Sequence, residues 1–325
     1  MSRAPSSFWL RSYGASSLVT GLLCGWATHA QAPAVSLKLE HEEVTVQWSS
    51  PAAQRLRIDA SHSPATFEPL ATVAGTIGAN EFLDAGSAFR SQRFYRAETV
   101  GATEFPGDHL ATTNGLVTIQ PIYHASFVMK WGEKYIYNDP APPGNFAGRP
   151  KADLILVSHS HGDHFNAAAI DTLWKTNTVI IAPQLVHNSL STKFRANAVV
   201  LTNGANTNVL GLNVAAVPAY NSNHPQGQGN GYVVTIGGRR LYMAGDTGDT
   251  PEMKALQRID VAFLPMNLPF TMNITNAAHA VRALRPTVVY PYHFRNSDGT
   301  YARTNVFKEL VGRDTGTEVR LRKWY

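Results

Sequence analysis

Lys151-Ala152-Asp153-Leu154-Ile155-Leu156-Val157-Ser158-His159-Ser160-His161-Gly162-Asp163-His164 decides how this chain is read. Lys151 to Ser158 is largely apolar, short and rich in aliphatic residues, which suits a strand buried on both faces. Straight after it stand His159, His161, Asp163 and His164, four side chains of metal-ligating type within six residues. Alternate residues of an extended segment point the same way, so His159 and His161 can grip one ion through neutral imidazole nitrogens. Gly162 is expected to take a backbone angle that other residues resist, turning Asp163 and His164 toward a second ion. The spacing, and the absence of a tag-like histidine run, set the segment apart from a polar loop.

Strand-like and helix-like stretches alternate around this segment. Leu116 to Gln120, Ser126 to Trp131 and Lys134 to Tyr137 read as strands before it. Ala167 to Trp174 has helical spacing, and strands fit residues 178–182, 198–201, 212–217, 231–236, 240–244, 261–264 and 287–290. Helices fit 251–258 and 275–284, the second with Thr275 as its cap. Helices interleaved with many strands predict an α/β layered body over residues 115–325.

Upstream the rhythm changes. Residues 34–100 show short alternating runs, such as Val44-Thr45-Val46-Gln47-Trp48, between Ser, Pro, Gly and Asn clusters, the pattern of an all-β sandwich. With Trp48, Phe82-Leu83-Asp84 and Arg93-Phe94-Tyr95-Arg96-Ala97 this small domain resembles a fibronectin type III-like module, read as a spacer or packing domain. Residues 101–114, rich in Gly, Pro and Thr, read as a linker. Residues 1–30 read as a signal peptide: Arg3 and Arg11, a small and apolar stretch from Ala15 to Ala27, then Thr28-His29-Ala30. That stretch is shorter than the ~20 residues of a membrane-spanning helix, so a soluble periplasmic or secreted product is expected. Cys24, the one cysteine, falls in this leader, which leaves the mature chain without disulfides or thiolate ligands.

Composition narrows the functions. Of 325 residues, 44% are hydrophobic and 16% charged, enough for a real core. The net charge is +5; 28 basic residues less Arg3 and Arg11, against 23 acidic ones, leave +3. That balance, without a basic cluster, argues against nucleic acid as a partner and for a small-molecule substrate. The oligomeric state is not legible.

His159-Ser160-His161-Gly162-Asp163-His164 is similar to the His-x-His-x-Asp-His signature of the metallo-β-lactamase superfamily, and the resemblance runs from about Gly115 to Tyr325. It implies a four-layer αββα sandwich that binds two zinc ions, with iron or manganese as substitutes. It implies His159, His161 and His224 on one ion, Asp163, His164 and His293 on the other, and Asp246 bridging both. It also implies that Asp139, in Tyr137-Asn138-Asp139-Pro140, supports the metal loop from behind. Two imidazole-rich shells sharing a carboxylate leave room for a water whose pKa falls toward about 7, giving a metal-made hydroxide. Asp163 and Asp246 are therefore the expected catalytic carboxylates. There is no serine nucleophile elbow.

Gly245-Asp246-Thr247, Leu264-Pro265 and Thr271-Met272 resemble the branch containing ascorbate-6-phosphate lactonase and N-acyl-phosphatidylethanolamine phospholipase D. That branch implies an ester, lactone or phosphodiester as the bond cleaved. Arg295 and Asn296 stand where they can reach a polar substrate group, Tyr220 and Phe270 where they can form an apolar wall. His124 resembles the histidine of a Gly-His-Ala-Ser segment near the site in some members, with Tyr123 replacing the glycine. His41, His62, His109, His187 and His279 read as structural or solvated. Two other readings stay open: a di-iron oxidoreductase, whose relatives resemble one another in a Glu where His161 stands and a flavin partner domain, and an inactive adhesive protein.

Overall fold

The computed structural model describes residues 35–63, 65–90 and 92–325, together with the strands Trp9–Tyr13 and Thr20–Leu22. Trp9–Tyr13 pairs along Gln92–Val100 and Thr20–Leu22 pairs with Trp9–Tyr13; these two strands are the described part of the stretch read as a leader, and the rest of that stretch lies outside the described residues. The chain divides into two compact units, 1–111 with 116–119, and 112–115 with 120–325.

The first unit is all β. Val35–Glu40, Glu43–Ser50 and Gly78–Asp84 form one antiparallel sheet. Gln54–Ser63, Thr66–Gly75 and Gln92–Val100 form a second. Alternation drives the packing: Val44, Val46 and Trp48 point inward from one sheet to meet Leu56, Ile58, Tyr95 and Ala97 from the other. The segment read as a linker holds a strand, Gly107–Thr112, whose Gly107 and Asp108 pair with Thr72 and Ala71. Its polar composition hid it. His109 is buried there, its ring held by Thr72 Oγ1 at 2.9 Å and Thr118 Oγ1 at 3.0 Å.

The second unit is built on two sheets. In one, Lys134–Asn138, Leu154–Leu156, Val179–Ala182 and Ala198–Val200 run parallel, with Ser126–Trp131 antiparallel beside the first of them. The other has seven strands, of which Arg239–Met243, Val261–Pro265, Val288–Tyr292 and Glu318–Val319 are parallel. Strand alternation sorts the layers. Ala262 and Leu264 join the core beneath the helices Ile274–Leu284 and Thr304–Val311, while Phe263 between them stacks on Phe127 of the opposite sheet at 4.2 Å. Helix, sheet, sheet and helix are the four layers of the metallo-β-lactamase fold.

Several element expectations change. The run Lys151 to Ser158 pairs as a strand only at Leu154–Leu156, although Leu154 to Val157 are completely buried. Asn273, not Thr275, caps the helix Ile274–Leu284, accepting from Asn276 N at 2.8 Å. The helix expected over 251–258 stops at Lys254. The strand expected over 231–236 begins at His224, because the Leu212–Asn221/His224–Ile236 hairpin pairs that far back.

Candidate metal centre

Parallel strands deliver most of the site, because side chains just past the carboxyl ends of neighbouring strands share one crevice. Asp139 follows Lys134–Asn138, the histidine segment follows Leu154–Leu156, Asp246 follows Arg239–Met243, and His293 follows Val288–Tyr292. The turn after His159 is closed by His164 N and Phe165 N donating to His161 O at 3.0 and 2.8 Å. Gly162 does not bear out its expected role: its φ is not positive, and a Cβ there would meet open space. The left-handed backbone falls instead on His124 (φ 56°), Asp139 (φ 43°) and His293 (φ 47°). Non-glycine residues there are strained by about 1–3 kcal/mol each, a cost met where structure is over-determined around a site. Gly245 is required for closeness as well as for its φ of 66°, since a Cβ would lie 2.9 Å from Asn230 O.

Two groups of donors converge. His161 Nδ1 lies 3.1 Å from His159 Nε2 and 3.3 Å from His224 Nε2. His164 Nε2 lies 2.9 Å from His293 Nε2, and Asp163 Oδ2 is 3.5 Å from the latter and 3.7 Å from the former. Asp246 faces both groups. Its Oδ1 is 3.3 Å from His164 Nε2 and 3.4 Å from His293 Nε2, and its Oδ2 is 3.5 Å from His224 Nε2. Ligands ~2.0–2.1 Å from a tetrahedral zinc are separated by about 3.3 Å, so both groups fit an ion. Asp246 Oδ1 is buried without a hydrogen-bond partner, the state of an atom arranged for a cation.

The outer partners decide which nitrogen each ring offers. Asp139 Oδ2 accepts from His164 Nδ1 at 2.8 Å and from Ser158 Oγ at 2.8 Å, while its Oδ1 accepts from Ser158 N at 2.7 Å. Asn221 Oδ1 lies 3.0 Å from His224 Nδ1, leaving Nε2 for the centre. Asn267 Nδ2 faces His293 Nδ1 at 2.9 Å while its buried Oδ1 lacks a partner; exchanging the two amide atoms would place an acceptor against Nδ1–H and free Nε2. Asn221, Asn267 and Ser158 were missed by sequence reasoning. Asn221 and Ser158 each lie within three residues of a candidate ligand, the one local signal available.

Electrostatics agree with a cation site. Burial pushes the His159 imidazole well below its ordinary range, and His164 adds to the effect, so it stays neutral. His224 is likewise lowered by burial, against the pull of Asp246. Burial also opposes charge on His164, yet Asp246 and Asp139 outweigh it and raise its pKa well above normal. Burial would raise Asp163 and Asp246, but hydrogen bonds from His124 and His293 to Asp163, and the charges of His293 and His164 beside Asp246, hold both far below the carboxylate range.

The remaining expected residues fall at different distances from the centre. His124 reaches Asp163 Oδ2 with its Nε2 at 3.1 Å. Tyr220 Oη donates to Glu252 Oε2 at 3.0 Å, and Asn296 is used between loops, accepting from Leu268 N and donating to Thr300 Oγ1. Arg295 and Phe270 are exposed. His41 sits in a turn, His62 and His279 are exposed, and His187 lies in the helix Gln184–Ser189.

A fold of this kind, with donors at these strand ends, defines a metal-dependent hydrolase of the metallo-β-lactamase superfamily. The β-lactamase superfamily domain model matches residues 118–293. The chain is 34% identical over 211 residues to the UPF0173 metal-dependent hydrolase of Pyrococcus abyssi, covering 61% of this chain and 93% of that protein. This chain therefore belongs to the UPF0173 family of metal-dependent hydrolases. Among solved structures it is similar to a protein of Parabacteroides distasonis assigned as a metal-dependent hydrolase, with 37% identity, a TM-score of 0.62, and coverage of 68% of this chain and 100% of that one. It is also similar to the metallo hydrolase Igni18 of Ignicoccus hospitalis, with 27% identity, a TM-score of 0.56, and coverage of 64% and 95%.

Proposed function

We propose that the chain is an exported dinuclear zinc hydrolase that cleaves an ester, lactone or phosphodiester bond of a small molecule. The observation that carries this reading is Asp246, whose two oxygens face separate groups of donors. His159, His161 and His224 would hold one ion, and Asp163, His164 and His293 the other. Two divalent cations held there would acidify a water for attack and offset charge on the departing oxygen.

The chain's own residues set the rest. His159, His164, His224, Asp246 and His293 are buried, whereas His161 is exposed and Asp163 partly so, so a substrate would approach on their side. The adjoining pocket is lined by His159, His161, Leu185, Ala219, Asn223, His224, Pro225, Gln228 and Asp246, without Lys or Arg. Such a lining favours an uncharged ester or lactone over a substrate with a free phosphate, for which a cationic clamp is expected. Export rests on the basic and apolar make-up of residues 1–30, and the fibronectin type III-like reading of the first unit rests on its two-sheet sandwich.

The test is metal content of the purified protein, with hydrolysis of a lactone, a carboxylic ester and a bis-aryl phosphodiester before and after chelation. Two zinc per chain with chelator-sensitive lactone or ester turnover is expected. Metal-free protein that stays inert after zinc is restored would end the hydrolase proposal, and two irons would point to the oxidoreductase.

A further inference from the structure

His124 sits at the edge of the centre, with ring nitrogens that have opposite duties. Its Nε2 is 3.1 Å from Asp163 Oδ2 and its Nδ1 is 2.8 Å from Tyr325 Oη. Its ring lies 3.7 Å, centroid to centroid, from that of His293, and its carbonyl accepts from His293 N at 3.1 Å. On distances alone His124, Asp163 and His293 make a further candidate trio of metal ligands. The trio competes with the one that uses His164.

The Tyr325 hydroxyl separates the two. Phe294 N and Arg295 N both donate to Tyr325 Oη, each at 3.1 Å. With its acceptor capacity taken, the hydroxyl has one remaining action, which is to donate its own proton to His124 Nδ1. A neutral imidazole that accepts at Nδ1 carries its proton on Nε2. That N–H then faces the Asp163 carboxylate and offers no lone pair to a cation.

We infer that Tyr325 is a positioning residue: its hydroxyl holds His124 in the Nε2–H tautomer, so that His124 pins the Asp163 carboxylate as a donor and does not ligate metal. Asp163 needs such a pin, because its side chain is 44% exposed, unlike the enclosed His164 and His293. Phe294 and Arg295 directly follow His293, so one hydroxyl ties together the His293 turn and the Asp163 carboxylate. The inference rests on the two-ion reading of the centre, but its first readout does not.

That readout is the pair of ring nitrogen shifts of His124 in metal-free protein, by long-range proton–nitrogen NMR at neutral pH. An Nε2–H pattern in wild type that moves toward a mixture in Tyr325→Phe is expected; an Nδ1–H pattern in wild type, or no change in the variant, overturns the inference whatever the protein hydrolyses. The second readout is zinc affinity by chelator competition. Tyr325→Phe and His124→Ala should weaken one of the two sites about 10–100-fold, as residues that orient ligands do. His124→Gln, which restores an N–H toward Asp163, should recover much of that loss and keep both ions. Loss of one ion in His124→Gln would make His124 a ligand and overturn the assignment. Failure of wild type to bind zinc would sink the proposed function while leaving the tautomer result to stand.

Discussion

Asp139 Oδ2 and His164 Nδ1 are 2.8 Å apart between two side chains that are both completely buried. The carboxylate fixes the ring so that Nε2 faces Asp246 and His293. Replacing it leaves the Ser158 N–H buried without an acceptor and the His164 Nδ1–H with only the Ser158 hydroxyl, 3.2 Å away, in place of a carboxylate, and each such loss costs about 1–3 kcal/mol. Asp139→Ala should therefore lower stability by several kcal/mol and weaken zinc binding about 10–100-fold. Denaturant titration and chelator competition on the same sample check both. Unchanged affinity would remove Asp139 from the orientation of His164.

Among the described residues, Asp246 is the single carboxylate with oxygens facing both donor groups. Asp246→Asn keeps the shape and removes the charge. Bound metal should fall below two per chain, and turnover should drop by more than about 100-fold, beyond the effect of residues that only orient ligands. Plasma mass spectrometry and initial rates measure it. Two tightly held ions in the variant would exclude a bridging role.

In the metal-free protein the buried histidines predict a pH dependence of stability. His109, His124, His159 and His224 are all lowered, chiefly by burial. Each contributes stability above the unfolded value of about 6.5, lost as pH falls through the folded pKa. His164 is raised by Asp246 and Asp139 against its burial, so its contribution has the opposite sign: present below about 6.5 and lost as pH rises. At pH 5 the four lowered groups act against the folded state, and the metal-free protein should be less stable there than at pH 7.5. Equal denaturation midpoints at the two values would contradict this balance.

Phe263 is fully buried and stacks on Phe127 at 4.2 Å and on Tyr290 at 5.0 Å. Phe263→Ala should cost about 3–5 kcal/mol, the range for truncating a buried aromatic ring. Urea unfolding followed by near-ultraviolet dichroism gives the value. A loss under about 1 kcal/mol would mean that the facing sheets do not depend on this contact.

Local chemistry explains what could be read without coordinates. A continuous apolar run ending in His159, His161, Asp163 and His164 encodes both a buried strand and a cluster of donors, since residues two to five apart converge through backbone geometry alone. The alternating runs of residues 34–100, and the strand and helix periodicities after residue 115, depend on the same short-range rule. Resemblance extended the expected donor set to His224, Asp246 and His293, side chains that the fold brings beside the histidine segment.

Tertiary structure decided what lies beyond that range. His224 reaches His161 because the hairpin register of residues 212–236 sets it there, not because a loop wanders near. Strand ends from both sheets meet only once Phe127 and Phe263 have brought the sheets face to face. Strain at His124, Asp139 and His293 took the place expected of Gly162, because hydrogen bonds from distant segments hold those three backbones. The 201-residue separation of His124 and Tyr325 leaves no trace in composition or spacing. Such pairings are selected by burial and by the need to satisfy every enclosed polar group, which are properties of the folded whole.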